Sequence, residues 1–314
     1  LASVFHKFYF CAFPFDLFCE KEYNNAVKKG EFFMAENCTH DCSTCSSSCS
    51  ERKKESLVKP LHKKAKVKKV IAVASGKGGV GKSLVTALLA AHAQNAGLRT
   101  AVLDADITGP SVPKMFGCTE KAAGADDGIY PVVTENGMQL MSMNCLLENE
   151  DDPVVWRGAL IAGAAVQFWT DVLWRDVELM FIDMPPGTGD VPLSVFQSIP
   201  ISGIVVVTTP QDLVGMIVKK AVNMAKLMNV PVLGLVENMS YFACPACGNK
   251  HEIFGASKAQ LLAKEYNIPS YARLPIDPAY ATLADAGKIA SADTSPLAEV
   301  FAQVDKAKGI EKKK

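Results

Sequence analysis

Residues Gly76-Lys77-Gly78-Gly79-Val80-Gly81-Lys82-Ser83 match the pattern G-x-x-x-x-G-K-[ST]. This pattern constrains the fold because it works in one setting, a glycine-rich turn that leaves a buried strand and enters a helix. Both flanks are present: a β-branched run at 70–74 precedes the turn, and a helical run at 82–96 follows it. The glycines let successive backbone N–H groups converge on phosphate oxygens, and the helix N-terminus adds partial positive charge. Lys82 is expected to reach the β/γ-phosphates of a nucleotide, and the Ser83 hydroxyl to ligate Mg²⁺. Gly76, Lys77, Gly78, Gly79, Val80 and Gly81 form the cradle around them.

The alternation continues beyond the motif. Short apolar runs at 100–103, 179–182, 204–207 and 232–236 interleave with helical stretches at 159–173, 213–228 and 257–266. Near-continuous apolar strands separated by helices predict an α/β fold, a mainly parallel doubly wound sheet covered on both faces. Ligands of such sheets bind at the carboxyl ends of the strands, where the motifs of this chain fall. Asp104-Ala105-Asp106 ends the second strand, and Asp183-Met184-Pro185-Pro186-Gly187-Thr188-Gly189-Asp190 ends the third. An apolar strand ending in Asp beside the phosphate turn is where a carboxylate holds Mg²⁺, so Asp183 is assigned that position. Asp104 is left a structural part, and Asp190 reads equally as a helix cap. Asn238 follows strand 232–236, and Pro275-Ile276-Asp277 ends a further strand.

Zero formal net charge gives no reason to expect nucleic acid or an acidic membrane as partner. An apolar content of 49% supports a sizeable core. No apolar run reaches the roughly 18 residues that span a bilayer. A cytoplasmic location is expected.

Of the ten cysteines, two groups are tightly clustered: Cys38/Cys42/Cys45/Cys49 and Cys244/Cys247. Clustered cysteines in a nucleotide-binding chain of this size suggest metal or cluster ligation before disulfides. Cys244-Pro245-Ala246-Cys247-Gly248 is a knuckle whose turn residues bring two thiolates onto one metal. Two thiolates cannot fill a tetrahedral site, and no second C-x-x-C lies downstream. Two copies across a two-fold axis supply four. Four thiolates suit either Zn²⁺ or an iron–sulfur cluster, and spacing does not choose between them. A redox pair is a third option, but the thioredoxin-like unit it requires is absent. The upstream spacing C-x3-C-x2-C-x3-C would align four thiols along one helical stripe. The serines around it disfavour a helix, so a metal or cluster site and a reactive tail both stay open.

Lys77 adds a second lysine to the phosphate turn. In this form the turn resembles the deviant-Walker group of P-loop NTPases, which includes MinD, ParA and nitrogenase iron protein. That resemblance implies a MinD-like fold and a homodimer sandwiching two ATP molecules, with Lys77 reaching across to the partner's nucleotide. A solvated loop charge is the plain alternative for Lys77. The resemblance also places Asp106 in switch I, orienting the attacking water, and Gly187 and Asp190 in switch II. It puts Asn238, Pro275 and Asp277 at the base. Five linked motifs narrow the match: 75–83, 103–111, Val155-Trp156-Arg157-Gly158, 182–190 and 237–248. Together they resemble the Mrp/ApbC family of ATP-dependent iron–sulfur cluster carriers over about residues 68–290. This implies ATP hydrolysis at Lys77, Lys82, Asp106 and Asp183, with Mg²⁺. It also implies a 4Fe–4S cluster bridging two subunits through Cys244 and Cys247, passed to apo-proteins, with scaffold proteins as further partners. The upstream cysteines are spaced more tightly than the family's eukaryotic N-terminal motif.

The resulting organisation has five parts. Residues 1–33 are aromatic-rich and begin at Leu1. Lys29-Gly30-Glu31 can be encoded as AAA-GGA-GAA, which contains a bacterial ribosome-binding sequence, so 1–33 reads as translated upstream sequence ahead of a start at Met34. A signal peptide fits less well, because Asp16 interrupts the apolar run and no cleavage site follows. Residues 34–51 form a cysteine-rich tail. Residues 52–69 form a basic linker whose only acid is Glu55, read as a solvated tether with a partner contact as alternative. Residues 70–308 form the ATPase domain and 309–314 a basic tail. A spatial-positioning ATPase of MinD/ParA type is the rival reading, and it leaves Cys244 and Cys247 unexplained. A zinc-bridged metal insertase is the third.

Overall fold

The computed structural model describes residues 57–149, 156, 158–187, 189–211 and 214–310. The upstream extension, the proposed start at Met34, and Cys38, Cys42, Cys45 and Cys49 lie outside the described residues.

The elements follow one another as β1 (Val70–Ser75), α1 (Lys82–Asn95), β2 (Thr100–Asp104), α2 (Val112–Met115), β3 (Ala123–Ala125), β4 (Gly128–Tyr130), β5 (Val132–Val133) and β6 (Gln139–Met141). Next come α3 (Gly158–Thr170), β7 (Leu179–Asp183), α4 (Asp190–Ser198), β8 (Gly203–Thr208), α5 (Val214–Leu227) and β9 (Val232–Ala243). The last are β10 (Lys250–His251), α6 (Ala259–Glu265), β11 (Tyr271–Pro275), α7 (Pro278–Asp285) and α8 (Ala298–Lys306). Across the main sheet the order is β10-β9-β8-β1-β7-β2-β6-β5, with β11 also on β9. From β11 to β6 the pairs are parallel, and β5 closes one edge antiparallel.

The expected doubly wound sheet is the observed one. β1, β2, β7 and β8 are buried at every position, which is why their sequences read as unbroken apolar runs. The crossover from β1 through α1 leads towards β2, and that from β7 through α4 leads the opposite way to β8. Right-handed crossovers then place α1 and α4 on opposite faces. The two directions part at β1, so the phosphate turn lies at the topological switch point. α1 is rich in Ala and Leu, strong helix formers that also allow close approach to the sheet.

β9 is longer than its neighbours. Its first half pairs with β8, from Ile204 opposite Val232 to Thr208 opposite Glu237. Its far end runs beyond β8 and turns back through β10, with Phe242 opposite His251 and Ala243 opposite Lys250. One strand therefore passes the phosphate turn and carries the cysteine knuckle.

The basic segment differs from a free tether. The Lys59 N–H donates to Ser198 O at 2.8 Å, the Lys66 N–H to Trp174 O at 2.8 Å and the Lys68 N–H to Val177 O at 2.9 Å. Lys64, Lys66 and Lys68 pair with Asp127, Asp176 and Glu178 at 2.8, 2.7 and 3.0 Å. These exposed pairs add little each, but they answer the lysine run with the domain's own acids. At the other end, the Ile310 N–H donates to Lys68 O at 2.8 Å, so the chain after α8 returns to the same edge. Among the described residues, no helix is long and apolar enough to cross a membrane.

Candidate functional site

The phosphate turn is built by backbone geometry first. Gly81 adopts φ +79°, a left-handed conformation, and a Cβ there would lie 2.2 Å from Asn238 Nδ2. Glycine is thus required twice over, by dihedral and by space. Asn238, on β9, donates from Nδ2 to Val80 O at 3.0 Å and is buried. Ser75 Oγ donates to Lys77 O at 2.9 Å, and the Gly187 N–H donates to Ser75 O at 2.9 Å. Behind the turn, a Cβ on Gly76 would fall 2.4 Å from Ile217 Cγ2, so α5 packs directly on the loop.

The charged centre lies where β1, β2 and β7 end together. Lys82 Nζ donates to Asp183 Oδ1 at 2.6 Å, and the lysine is 6% exposed. Ser83 Oγ donates to Asp183 Oδ2 at 2.5 Å, and Thr86 Oγ1 donates to Asp183 Oδ1 at 2.9 Å. Asp106 Oδ2 stands 3.6 Å from Lys82 Nζ. Asp104 is fully buried opposite Asp183 in the β2–β7 register, accepting from Ser142 Oγ at 3.0 Å and from the Asp106 N–H at 3.1 Å. Burial first, then the Asp183 charge, raises the Asp104 carboxyl well above the ordinary range. Burial also raises Asp106, opposed by Lys82. The structure thus brings Lys82, Ser83, Asp106 and Asp183 together. Thr86 was missed, although its place one turn after Lys82 puts it on the same helix face.

Ser83 and Asp183 offer a hydroxyl and a carboxylate, hard oxygen donors at hydrogen-bond distance from each other. They fit Mg²⁺, which prefers oxygen ligands and keeps several waters. Lys77 is exposed and donates from Nζ to Gln211 Oε1 at 3.2 Å, so within one chain it turns away from Asp183 and towards the loop after β8. Pro275 ends β11. Asp277 caps α7, its Oδ1 accepting from the Ala279 N–H at 2.8 Å. Thr188, Arg157 and the Asp190 side chain lie outside the described residues.

The knuckle closes the β9–β10 turn. The Cys244 N–H donates to Asn249 O at 2.9 Å, and the Gly248 N–H donates to Cys244 O at 2.8 Å. Gly248, at φ +73°, makes the reversal possible. The neighbouring Ala246 and Cys247 N–H groups, and then the Cys247 thiol, hold the Cys244 thiol below its ordinary pKa. Cys247 is exposed. N–H groups converging on a thiolate are what a metal-binding turn needs. Among the described residues, no group of three or more Cys, His, Asp or Glu side chains is placed to hold a metal, so the pair has no third ligand from its own described chain. Cys118 and Cys145 are the opposite case, with burial pushing their thiols up to about 11 and about 12.

Sequence reasoning missed the polar network that ties β9 to β11. Glu237, fully buried, accepts from Ser240 Oγ at 2.8 Å and from the Lys258 N–H at 3.1 Å. Arg273 donates to Ser240 Oγ at 2.7 Å and to Glu252 at 2.6 Å, and it lies over the Tyr241 ring. Glu237, Ser240 and Tyr241 lie in the 237–248 motif, but their link to Arg273 becomes legible only once β9 and β11 are paired.

Residues 66–308 match the family model of the NUBPL iron-transfer P-loop NTPases, within the ParA group. The chain belongs to this family. An iron–sulfur cluster carrier protein of Methanocaldococcus jannaschii is 44% identical over 252 residues, covering 78% of this chain and 86% of the relative. One from Clostridium perfringens is 48% identical over 219 residues, covering 67% and 77%. Among solved structures, a nucleotide-binding protein of Archaeoglobus fulgidus in complex with ADP, in which cobalt was found, superposes with a TM-score of 0.65. It is 44% identical and covers 72% of this chain and 88% of that one. The cell-division ATPase MinD of Pyrococcus furiosus has a TM-score of 0.53 at 19% identity, covering 76% of this chain and 98% of its own, and shares the fold. This member of the iron-transfer family is thus a P-loop NTPase with the Lys82–Asp183 centre on one side of β9 and the cysteine pair just beyond its end.

Proposed function

We propose that the chain hydrolyses ATP and carries an iron–sulfur cluster, assembling a 4Fe–4S unit between two copies and passing it to apo-proteins. The cluster is cargo, received from scaffold proteins and delivered to clients in the cytoplasm. The observation that carries this reading is the continuity of β9. Asn238 on this strand holds the phosphate turn at Val80, and five residues beyond Met239 the same chain segment reaches Cys244.

Incoming ATP phosphates compete with Asp183 for Lys82. Lys82 moves its hydrogen bond to the β/γ-phosphates, and the turn's N–H groups take the remaining oxygens. Asp183 and Ser83, released, would hold Mg²⁺, which neutralises phosphate charge when bound. Asp106 orients the attacking water, and ADP and phosphate leave. Lys77 exchanges Gln211 for the nucleotide of a second copy. Asn238, Pro275 and Asp277 remain proposed as base contacts, with Asp277 reaching the base from its capping position. The four upstream cysteines remain proposed as a second metal or cluster site.

The test is iron and sulfide analysis of anaerobically purified chain lacking residues 34–51, with and without Cys244→Ser and Cys247→Ser. Iron and sulfide in equal amounts, lost in both variants, support the reading. Zinc without sulfide would replace the carrier by a zinc-bridged ATPase.

A further inference from the structure

The cysteine knuckle overhangs the sheet that carries it. The β8–β9 pairing ends with Thr208 opposite Glu237, and the β11–β9 pairing ends with Pro275 opposite Tyr241. Beyond Tyr241 the turn is closed by two residue pairs with β10, Phe242 with His251 and Ala243 with Lys250, and both β10 residues are exposed. A hairpin ladder this short is marginal by itself. The geometry of the Cys244–Gly248 turn therefore depends on what ties β10 back to the sheet. Arg273 of β11 makes such a tie. Its Nη2 donates to Oε1 of Glu252, the residue directly after β10, at 2.6 Å. Its Nε donates at 2.7 Å to Ser240 Oγ, a buried hydroxyl that donates in turn to Glu237 Oε1 at 2.8 Å. The guanidinium carbon lies 5.5 Å from the centre of the Tyr241 ring, and Lys250 Nζ of β10 stands 4.4 Å from the same ring. Both cations are within the reach at which an aromatic face attracts them. One planar head thus holds β9 and the end of the return strand together.

We propose that Arg273 is a positioning residue for the cysteine pair: by linking Glu252 to Ser240 it fixes the β10 return strand, and so presets the Cys244–Gly248 turn before metal arrives. This rests on the reading of Cys244 and Cys247 as ligands and goes beyond it by naming what holds them ready. A turn ordered in advance loses less freedom when the metal binds, so metal is held more tightly. The fork geometry matters, because lysine offers a point charge on a flexible stem and does not reproduce two fixed donors. The Arg273 and Glu252 side chains are 35% and 39% exposed. A pair this open adds little to the stability of the whole fold. Its loss is therefore felt at the short hairpin and not at the phosphate turn.

The test uses the reduced full chain carrying Cys38→Ser, Cys42→Ser, Cys45→Ser and Cys49→Ser, so that the upstream cysteines take up no metal. It is titrated anaerobically with Co²⁺ alone at one fixed protein concentration. The thiolate-to-cobalt absorption reports binding, and Cys244→Ser supplies the background. Glu252→Ala and Arg273→Met are each expected to raise the apparent dissociation constant about tenfold or more, as the loss of outer-shell partners does at metal sites. Arg273→Lys should fall between. The double variant Glu252→Ala with Arg273→Met should be no worse than Arg273→Met alone, because the two residues act as one unit. In the apo protein, hydrogen exchange at the Cys244 and Gly248 amides should quicken about fivefold or more, with exchange at the phosphate turn and ADP affinity unchanged. Equal cobalt affinity in parent and variants would overturn the proposal. So would faster exchange throughout β9 and β11 with loss of ADP binding, the mark of a general role in stability. A parent that takes up no cobalt above the Cys244→Ser background would sink the ligand reading itself, and exchange at the two amides then decides whether Arg273 holds the turn.

Discussion

At the residue scale, the centre is a single lysine facing three carboxylates, Asp104, Asp106 and Asp183. Lys82→Ala should lower ATP hydrolysis by at least about 100-fold, because the developing phosphate charge loses a donor in a closed site. Hydrolysis at the parental rate would disprove the phosphate-site assignment. Removing one member of a buried pair also costs roughly 3–5 kcal/mol, so the melting temperature should fall as well. Ser83→Ala, which leaves the ion pair intact, separates the two effects by losing hydrolysis with little loss of stability. The thiols give a second prediction. At pH 8 the thiolate fractions of Cys118 and Cys145 are about one part in a thousand or less, given values of about 11 and about 12. Peptide mapping after brief iodoacetamide treatment should therefore find Cys244 alkylated well before Cys118 or Cys145. Labelling of the latter two should grow about tenfold per pH unit as the pH rises towards those values. Equal labelling of all three at pH 8 would contradict the burial.

At the scale of elements, β9 joins two chemistries, and Asn238 is where it touches the first. Asn238→Ala removes a buried hydrogen bond to the phosphate turn, worth about 1 kcal/mol, and should weaken ATP binding about five- to tenfold in a titration. Gly81→Ala should abolish binding, and Asn238→Ala in the same chain should not restore it, because clearing the clash leaves the left-handed φ unchanged. Recovery in the double variant would show that the clash alone mattered. Asp277 allows its two uses to be told apart. As the cap of α7, its change to Ala should cost about 1 kcal/mol of stability. An accompanying loss of ATP affinity, measured on the folded protein, is required for the proposed base contact. The capping bond is local, and Asp277 followed by Pro278 is a helix-start signal in the sequence, but the helix it starts was not predicted.

At the scale of the whole molecule, the proposal is a carrier whose halves complete each other. Cys244→Ser and Cys247→Ser each strip two soft ligands from a two-fold site, one per copy. Both should lose the bridging cluster and sediment as monomers in the loaded, nucleotide-free condition, while ATP binding survives at the distant phosphate turn. The measurement is best made in a background lacking residues 34–51, so that iron on the upstream cysteines does not count. Full iron and sulfide in those variants would refute the bridging site.

The phosphate turn, the five central strands and the long helices were legible in the sequence, because each is a local pattern with its own physical cause. Glycine spacing encodes the backbone turn, and unbroken burial makes β1, β2, β7 and β8 read as continuous apolar runs. Cys244 and Cys247 declared themselves for the same reason, since a C-x-x-C turn is local. What only the tertiary structure decided is which of these local pieces meet. Asp104 lies opposite Asp183 because β2 and β7 are paired, although the two are far apart in sequence. The lysines of 59–69 read as a tether because their acidic partners, Asp127, Asp176 and Glu178, come from distant segments. Glu237 and Ser240 stand in the 237–248 motif, but Ser240 meets Arg273 only because β9 and β11 are paired. Local geometry is written in neighbouring residues, whereas charge compensation and burial depend on strand order, which no stretch of sequence contains by itself.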